Sequence, residues 1–404
     1  MAEKRLSQSI SFIAHNSAIT GITMSTTLVF AFSTLYMREF IHASNFEVGL
    51  AIGLSHIISV IFSPVAGAIS DSLKTPWGRR RPFLIVGALM SAVFLAFLPS
   101  TTNYLVYLTL LSFFFLFSIS YQVPFYALIP EVAPEGQRGH YTIYTGLLRL
   151  AGFGLVMGFG GWFWRKNPGL PFYLTACFVL ITALVTALTV QEEMQEEATS
   201  LFAGLHVMTR IKIYLRDLIA QKRILLFFSG QFFWWMGLGA FLPFATIMLK
   251  EFYHIEISQL LKFSPIVLIA GSIFVLSVIG AGVLGDRYGH SRVITIGLIV
   301  LTIAGIVAYF ARSVSAVYTA AAIMMIGASP LLNEPFALLA ELIPKGREGE
   351  FYGLDTISIT LSQIPAAIIA GIVIDRYGYP SIFVLLAAST AFSIVFMVLK
   401  SRVR

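Results

Sequence analysis

Two polar stretches of one design, Gly67 to Phe83 (GAISDSLKTPWGRRRPF) and Gly282 to Arg292 (GVLGDRYGHSR), each join two long apolar runs and begin 215 residues apart. One unit used twice explains that spacing. A helix crossing a bilayer needs about 20 apolar residues, and runs of that order lie near 12–36, 46–69, 82–99, 103–129, 139–164 and 169–190. A second set lies near 223–249, 258–284, 291–311, 314–340, 348–374 and 379–399. With 57% hydrophobic and 12% charged residues and a mean hydropathy of +0.83, the 404-residue chain is too apolar for a soluble core. The runs are continuous rather than alternating, and lipid requires backbone hydrogen bonds to close within each segment, so helices are expected and a barrel is not. The fold class predicted is an all-α membrane protein of twelve transmembrane helices in two pseudo-symmetric six-helix bundles, residues 1–190 and 223–404. Residues 191–222, opening with the acidic QEEMQEE, read as a linker carrying a helix on the membrane surface. For its first ten residues a solvated tether is an equal reading.

The repeat recurs at a second place. ALIPEVAPEGQRG from Ala127 and LLAELIPKGREG from Leu338 match at Glu131, Pro134, Gly136 and Gly139 against Glu341, Pro344, Gly346 and Gly349, an offset of 210. The change of offset follows from the first loop, where seven residues lead from Asp71 to Gly78 against three from Asp286 to Gly289. Equivalent loops on one membrane face imply parallel repeats about an axis along the membrane normal. If both termini are cytoplasmic, 19 of the 27 basic residues fall inside, 7 outside, and Arg149 within a run. That bias predicts this orientation and accounts for the net charge of +7 without nucleic acid. Cys177, alone in an apolar run, excludes disulfides and thiolate metal sites, and the N-terminus lacks the pattern of a cleaved signal peptide.

GxxxD followed by glycine and basic residues, after the second run and again after the eighth, resembles the major facilitator superfamily over essentially the whole chain. WGRRRPF from Trp77 to Phe83, FSPVAGAISD from Phe62 to Asp71 and FYGLDTISITLSQIPAAIIAG from Phe351 are similar to the sucrose:proton symporter branch of the glycoside, pentoside, hexuronide:cation symporters. Sucrose members carry an arginine and an aspartate in or near helix 4. Here YQVPFYALIPE places Tyr126 where that arginine would stand, which argues against sucrose itself. Asp355 stands where the branch often has asparagine.

The resemblance implies that Asp71 engages the N-terminus of helix 11 and nearby arginines in one conformation only, with Arg79, Arg80 and Arg81 beside it. Asp286 and Arg287, with Glu131 and Glu341, would form the equivalent gate elements. A carboxylate is favoured at a helix N-terminus by about 0.3–1 kcal/mol, so such latches are physically sound; the alternative is a loop that only sets topology. Ionisable residues within spans are functional by default. Arg149 lies about 15 Å into its run, and Glu334 and Asp355 about 10 Å in from the cytoplasmic boundary. They therefore share a layer as an inner gate or proton switch, or as a permanent ion pair holding helices together. His15, Asn16 and His56, with Gln122, Tyr126, Gln231, Trp234, Trp235, Asn333 and Gln363, are candidate cavity residues, amides suiting hydroxyls and rings suiting a sugar's apolar face. At most one of the adjacent tryptophans can easily face the centre, and the lipid interface suits the other.

GFGLVMGFGG from Gly152 has no preceding strand, so it is not a dinucleotide loop; helix packing suits it. It also lacks the proline typical of proton:drug antiporters, against an exporter. HExxH, GxSxG and phosphate-loop motifs are absent from the sequence, which disfavours an enzyme, and a non-transporting sensor would be expected to carry a soluble appendage. The expected function is a secondary transporter in the cell membrane moving a sugar or glycoside by alternating access with a proton, or else sodium. It acts as a monomer in lipid without cofactor or metal; transport or export of another small organic solute is the alternative.

Overall fold

The computed structural model describes residues 11–73, 75–132, 138–190, 221–255, 264–343 and 348–403; the predicted linker helix within 191–222 lies almost wholly outside them. The first six helices are α1 (Ser11–Glu39), α2 (Asn45–Ser72), α3 (Arg81–Phe97), α4 (Tyr104–Val132), α5 (Arg138–Lys166) and α6 (Leu170–Thr189). The second set is α7 (Lys222–Glu251), α8 (Ser264–Tyr288), α9 (His290–Phe310), α10 (Val314–Ala328, resuming after Ser329 as Pro330–Leu342), α11 (Glu348–Tyr377) and α12 (Ser381–Arg402). Among the described residues ten helices are long and apolar enough to cross a membrane. The other two predicted spans, α8 and the interrupted α10, are helical but fall outside that ten. The start of α1 and the end of α12 lie on one face, here the terminal face, with the α1–α2 and α11–α12 turns on the far face.

Local sequence sets the helix ends. Ser44 accepts from the Glu47 backbone N–H while the Glu47 carboxylate accepts from the Ser44 N–H, a reciprocal cap that starts α2. Prolines that lack an N–H stand in the first turn of α3 and α6, where no helical partner is needed. Val29–Ser33 inserts a π-turn into α1.

Packing repeats at an offset of six helices. In the first half α1 packs on α5 and α6, α2 on α4, and α3 on α4 and α6; in the second α7 packs on α11 and α12, α8 on α10, and α9 on α10 and α12. Small residues permit close approach: Gly152 of α5 faces the Thr20 carbonyl of α1, and Gly87 of α3 faces Tyr121 of α4. Between the halves the extensive contact is α2 against α11. Gly49 lies on the Ala367 carbonyl and Gly371 on the Asn45 carbonyl, backbone against backbone.

Candidate functional site

The halves are tied together at the far face. Arg38 at the end of α1 donates from Nε and Nη2 to the two Glu251 oxygens at 3.0 and 2.9 Å, the paired geometry in which guanidinium and carboxylate bind most strongly. Lys250 pairs with Glu39, and Thr246 donates to the Ala31 carbonyl at 2.6 Å. Tyr379 Oη lies 2.7 Å from Glu251 Oε2 and 3.0 Å from Asn45 Oδ1, so its one hydroxyl hydrogen is shared between the two oxygens. Burial and the adjacent Glu251 carboxylate hold its phenol above the usual tyrosine range.

Asp375, in the last turn of α11, receives the backbone N–H groups of Asn45 at 3.2 Å and Phe46 at 2.8 Å, and the Asn45 amide at 2.8 Å. A carboxylate from one half thereby satisfies the open N–H groups at the N-terminus of a helix in the other. Its setting is Gly371 to Gly378, GIVIDRYG, which repeats GVLGDRYG from Gly282 to Gly289. The motif has a third copy, on the far face. Gly78, Gly289 and Gly378, which close the three copies, have φ of 106°, 92° and 82°, where a side chain is strained.

Toward the terminal face the halves diverge. On the α2 line facing α11, Gly49 and Gly53 are buried, Ile57 and Val60 half-buried and Pro64 exposed. On α11 the corresponding line runs from Ile368 and Ile364 to Leu361, which is 45% exposed. A cleft closed at the far face and open at the terminal face follows.

The predicted gate residues of the first loop lie at that open end. Asp71 is in the last turn of α2 and Glu131 near the end of α4, with side chains outside the described part. Arg80 is buried and Arg79 half-buried, and Arg81 donates to the Val190 carbonyl. In the second loop Asp286 is exposed, 4.0 Å from His290 Nε2, and Arg287 lies over the Tyr288 ring. Glu341 approaches His290 Nε2 at 3.5 Å.

The three ionisable residues of the predicted inner layer are not joined. Glu334 is buried, its carboxylate 2.7 Å from His290 Nδ1. Asp355 is buried and accepts from Gln231 Nε2 at 2.7 Å. Arg149 is exposed in the span, its guanidinium carbon 5.8 Å from the Tyr126 ring centroid.

Among the cavity candidates, Tyr126 is exposed and Gln122 half-buried, donating to Ser118 at 2.6 Å. Gln231 and Gln363 are buried, and Gln363 donates to the Trp235 carbonyl at 3.4 Å. Trp234 is fully buried in the second core, edge-on to Phe227, while Trp235 is half-buried. Asn16 is fully buried, donating to the Phe12 carbonyl and accepting from Thr145. His15 meets the Thr189 carbonyl at 3.1 Å. His56 lies between Phe30 and Phe115, its Nδ1 2.8 Å from the Ile52 carbonyl. Asn333 lies on α10, its side chain outside the described part. Among the described residues no cluster of His, Cys, Asp or Glu could hold a metal.

Comparison with known proteins agrees with this architecture. The multi-drug resistance efflux pump PmrA of Streptococcus pneumoniae is 25% identical over 95% of this chain and 94% of its own length. A lactose permease of Lactobacillus helveticus is 25% identical over 49% of this chain and 30% of its own. A variant of the nucleoside transporter NupG superposes with a TM-score of 0.75 at 14% identity, covering 96% of this chain and 99% of that one. A bacterial homologue of the human lysosomal transporter Spinster gives 0.74 at 13%, covering 98% and 97%. These relatives are transporters and not enzymes, and the two structures share the fold. The family model described as MFS/sugar transport protein matches residues 14–399, so the chain belongs to the major facilitator superfamily of multi-pass membrane transporters.

Proposed function

We propose that the protein moves a sugar or glycoside across the cell membrane by alternating access, coupled to a proton, with both termini in the cytoplasm. The cleft is then the cytoplasm-facing state, and the far-face ties are those that break when it opens outward. The observation that carries the reading is the Asp355–Gln231 pair buried between α7 and α11, in a chain whose family is described as MFS/sugar transport. Gln231 Oε1 has no hydrogen-bond partner. An ionised Asp355 only accepts from the amide, whereas a protonated one can also donate to that oxygen. One pair therefore accommodates both states of a carried proton. The WGRRRPF loop and the lactose permease match support sugar or glycoside chemistry and the symporter branch.

Export of another small organic solute is the second reading, favoured by an efflux pump matching 95% of the chain. Uptake into proteoliposomes of mono- and disaccharides, with and without an imposed pH gradient, separates the two. Gradient-driven sugar accumulation is expected. Failure with every sugar, together with thermal stabilisation by a drug-like solute, would replace the first reading by the second.

A further inference from the structure

A slot of about 260 Å³ runs between α3 and α6, lined by Ile85, Ala88 and Leu89 of the first helix and Leu180, Ala183 and Leu184 of the second. Ala88 and Ala183 are buried and form its floor, while Leu89 and Leu184 are exposed at its rims. Val86 and Leu188 beside it are exposed as well, and the extensive contact between the halves is made by α2 and α11 instead, so this side of the bundle meets lipid. None of the six lining side chains carries a polar atom, which suits a hydrocarbon chain and no polar solute. The end of the slot toward the terminal face is basic. Arg81 lies four, seven and eight residues before Ile85, Ala88 and Leu89, on the same face of α3. It donates to the Val190 carbonyl just past the end of α6, so its guanidinium bridges the two helices at the mouth of the slot. From Arg81 the lining residues of α3 lie about 6–12 Å deeper at 1.5 Å per residue, the layer directly beneath the lipid headgroups. Arg79 is half-buried nearby, whereas Arg80 is buried, and the N-terminus of α3 adds the positive end of its dipole. Trp77, exposed two residues before Arg79, is of a type enriched at headgroup level.

We infer that this slot, with Arg79 and Arg81 at its mouth, binds one anionic phospholipid of the terminal-face leaflet, an acyl chain lying between α3 and α6 and the phosphate at Arg81. Basic pockets between membrane helices select anionic headgroups, and here the basic pocket opens directly onto a hydrocarbon slot. The two parts divide the recognition. A zwitterionic lipid fits the slot but brings no net charge to the arginines, and a free phosphate brings the charge but leaves the slot unfilled.

The test is native mass spectrometry of the full, delipidated chain released from detergent, titrated with dioleoyl phosphatidylglycerol, dioleoyl phosphatidylcholine or glycerol phosphate. The first phosphatidylglycerol should bind more tightly than the first phosphatidylcholine. Each basic residue near the surface strengthens anionic-lipid binding roughly fivefold, so Arg79→Gln with Arg81→Gln should weaken that phosphatidylglycerol roughly 25-fold and leave phosphatidylcholine unchanged. Leu184→Trp fills the slot from the α6 rim and should weaken both lipids; Leu89→Trp does the same from the α3 rim. Thermal unfolding without lipid checks each variant, and Arg79→Gln alone, expected to cost roughly fivefold, replaces the double variant if loss of the Arg81–Val190 contact unfolds it. Glycerol phosphate should not displace phosphatidylglycerol at concentrations where the lipid saturates. Phosphatidylcholine binding as tightly as phosphatidylglycerol, or phosphatidylglycerol binding unchanged in the arginine variants, would overturn the headgroup assignment and with it the site. Binding unchanged in both tryptophan variants, or full displacement by glycerol phosphate, would show an anion site without the slot and would overturn the lipid proposal equally.

Discussion

Replacing Asp375 by asparagine removes the charge that holds the N-terminus of α2 to the end of α11 while preserving size. In the wild type, one carboxylate receives two backbone N–H groups and one side-chain amide, at 2.8–3.2 Å. Hydrogen bonds to a charged group contribute about 1.5–3 kcal/mol net, and a carboxylate at a helix N-terminus about 0.3–1 kcal/mol. Asparagine keeps one oxygen acceptor but turns an amide donor toward backbone donors. A loss of about 2 kcal/mol from the far-closed state is expected, which shifts the balance toward the far-open state roughly 30-fold at 1.4 kcal/mol per decade. Because the helix-end N–H groups point into water once the far face opens, the open state loses almost nothing. Pulsed electron–electron distances between spin labels at Thr102→Cys and Arg312→Cys, on far-face loops of opposite halves, in a Cys177→Ser background, report the two states. Asp375→Asn should add a longer component absent from the parent. An unchanged distribution, with unchanged thermal stability, would refute the assignment of Asp375 as a tie between the halves.

Other perturbations follow from named contacts. Gly49→Leu places a side chain on the Ala367 carbonyl and should prevent α2 and α11 from closing, lengthening the same spin-label distance and abolishing solute accumulation. Asp355→Asn should lose proton-driven accumulation in proteoliposomes while solute exchange continues; accumulation that persists would move the coupling role elsewhere. Glu334→Gln weakens the buried contact with His290 at 2.7 Å, and a loss of about 1–3 kcal/mol should lower the thermal unfolding midpoint, with His290→Ala adding little further.

Much of this architecture is visible in the chain because apolar length and loop identity are local properties. The twelve runs and the second-half copy of the first loop needed only spacing. Asp375 was harder to find although its signal, GIVIDRYG, matches GVLGDRYG at five of eight positions, the DRYG end included. Its copy sits three helices away and therefore on the opposite face, whereas the repeat of whole bundles puts equivalent loops on one face. Arg38, Glu251 and Tyr379 meet only through the far-face closure, which no helix's own periodicity encodes. The partners of Glu334 and Asp355 depend on helix rotation: His290 is 44 residues from Glu334, and Gln231 is 124 from Asp355. Arg149 was recognisable as a charge within a span, but that its neighbour is the Tyr126 ring depends on how α4 and α5 are rotated. Trp234 could face core or cleft by periodicity alone, and packing on Phe227 decides for the core.

Alternating access is most directly tested by locking the far face. Arg38→Cys and Glu251→Cys replace a contact of 2.9–3.0 Å, and a cleavable bis-maleimide joining them in a Cys177→Ser background should hold α1 to α7. Solute-induced proton flux into proteoliposomes, screened over mono- and disaccharides, should stop on cross-linking and return when the linker is cut. Undiminished flux through the quantitatively cross-linked protein would contradict the account.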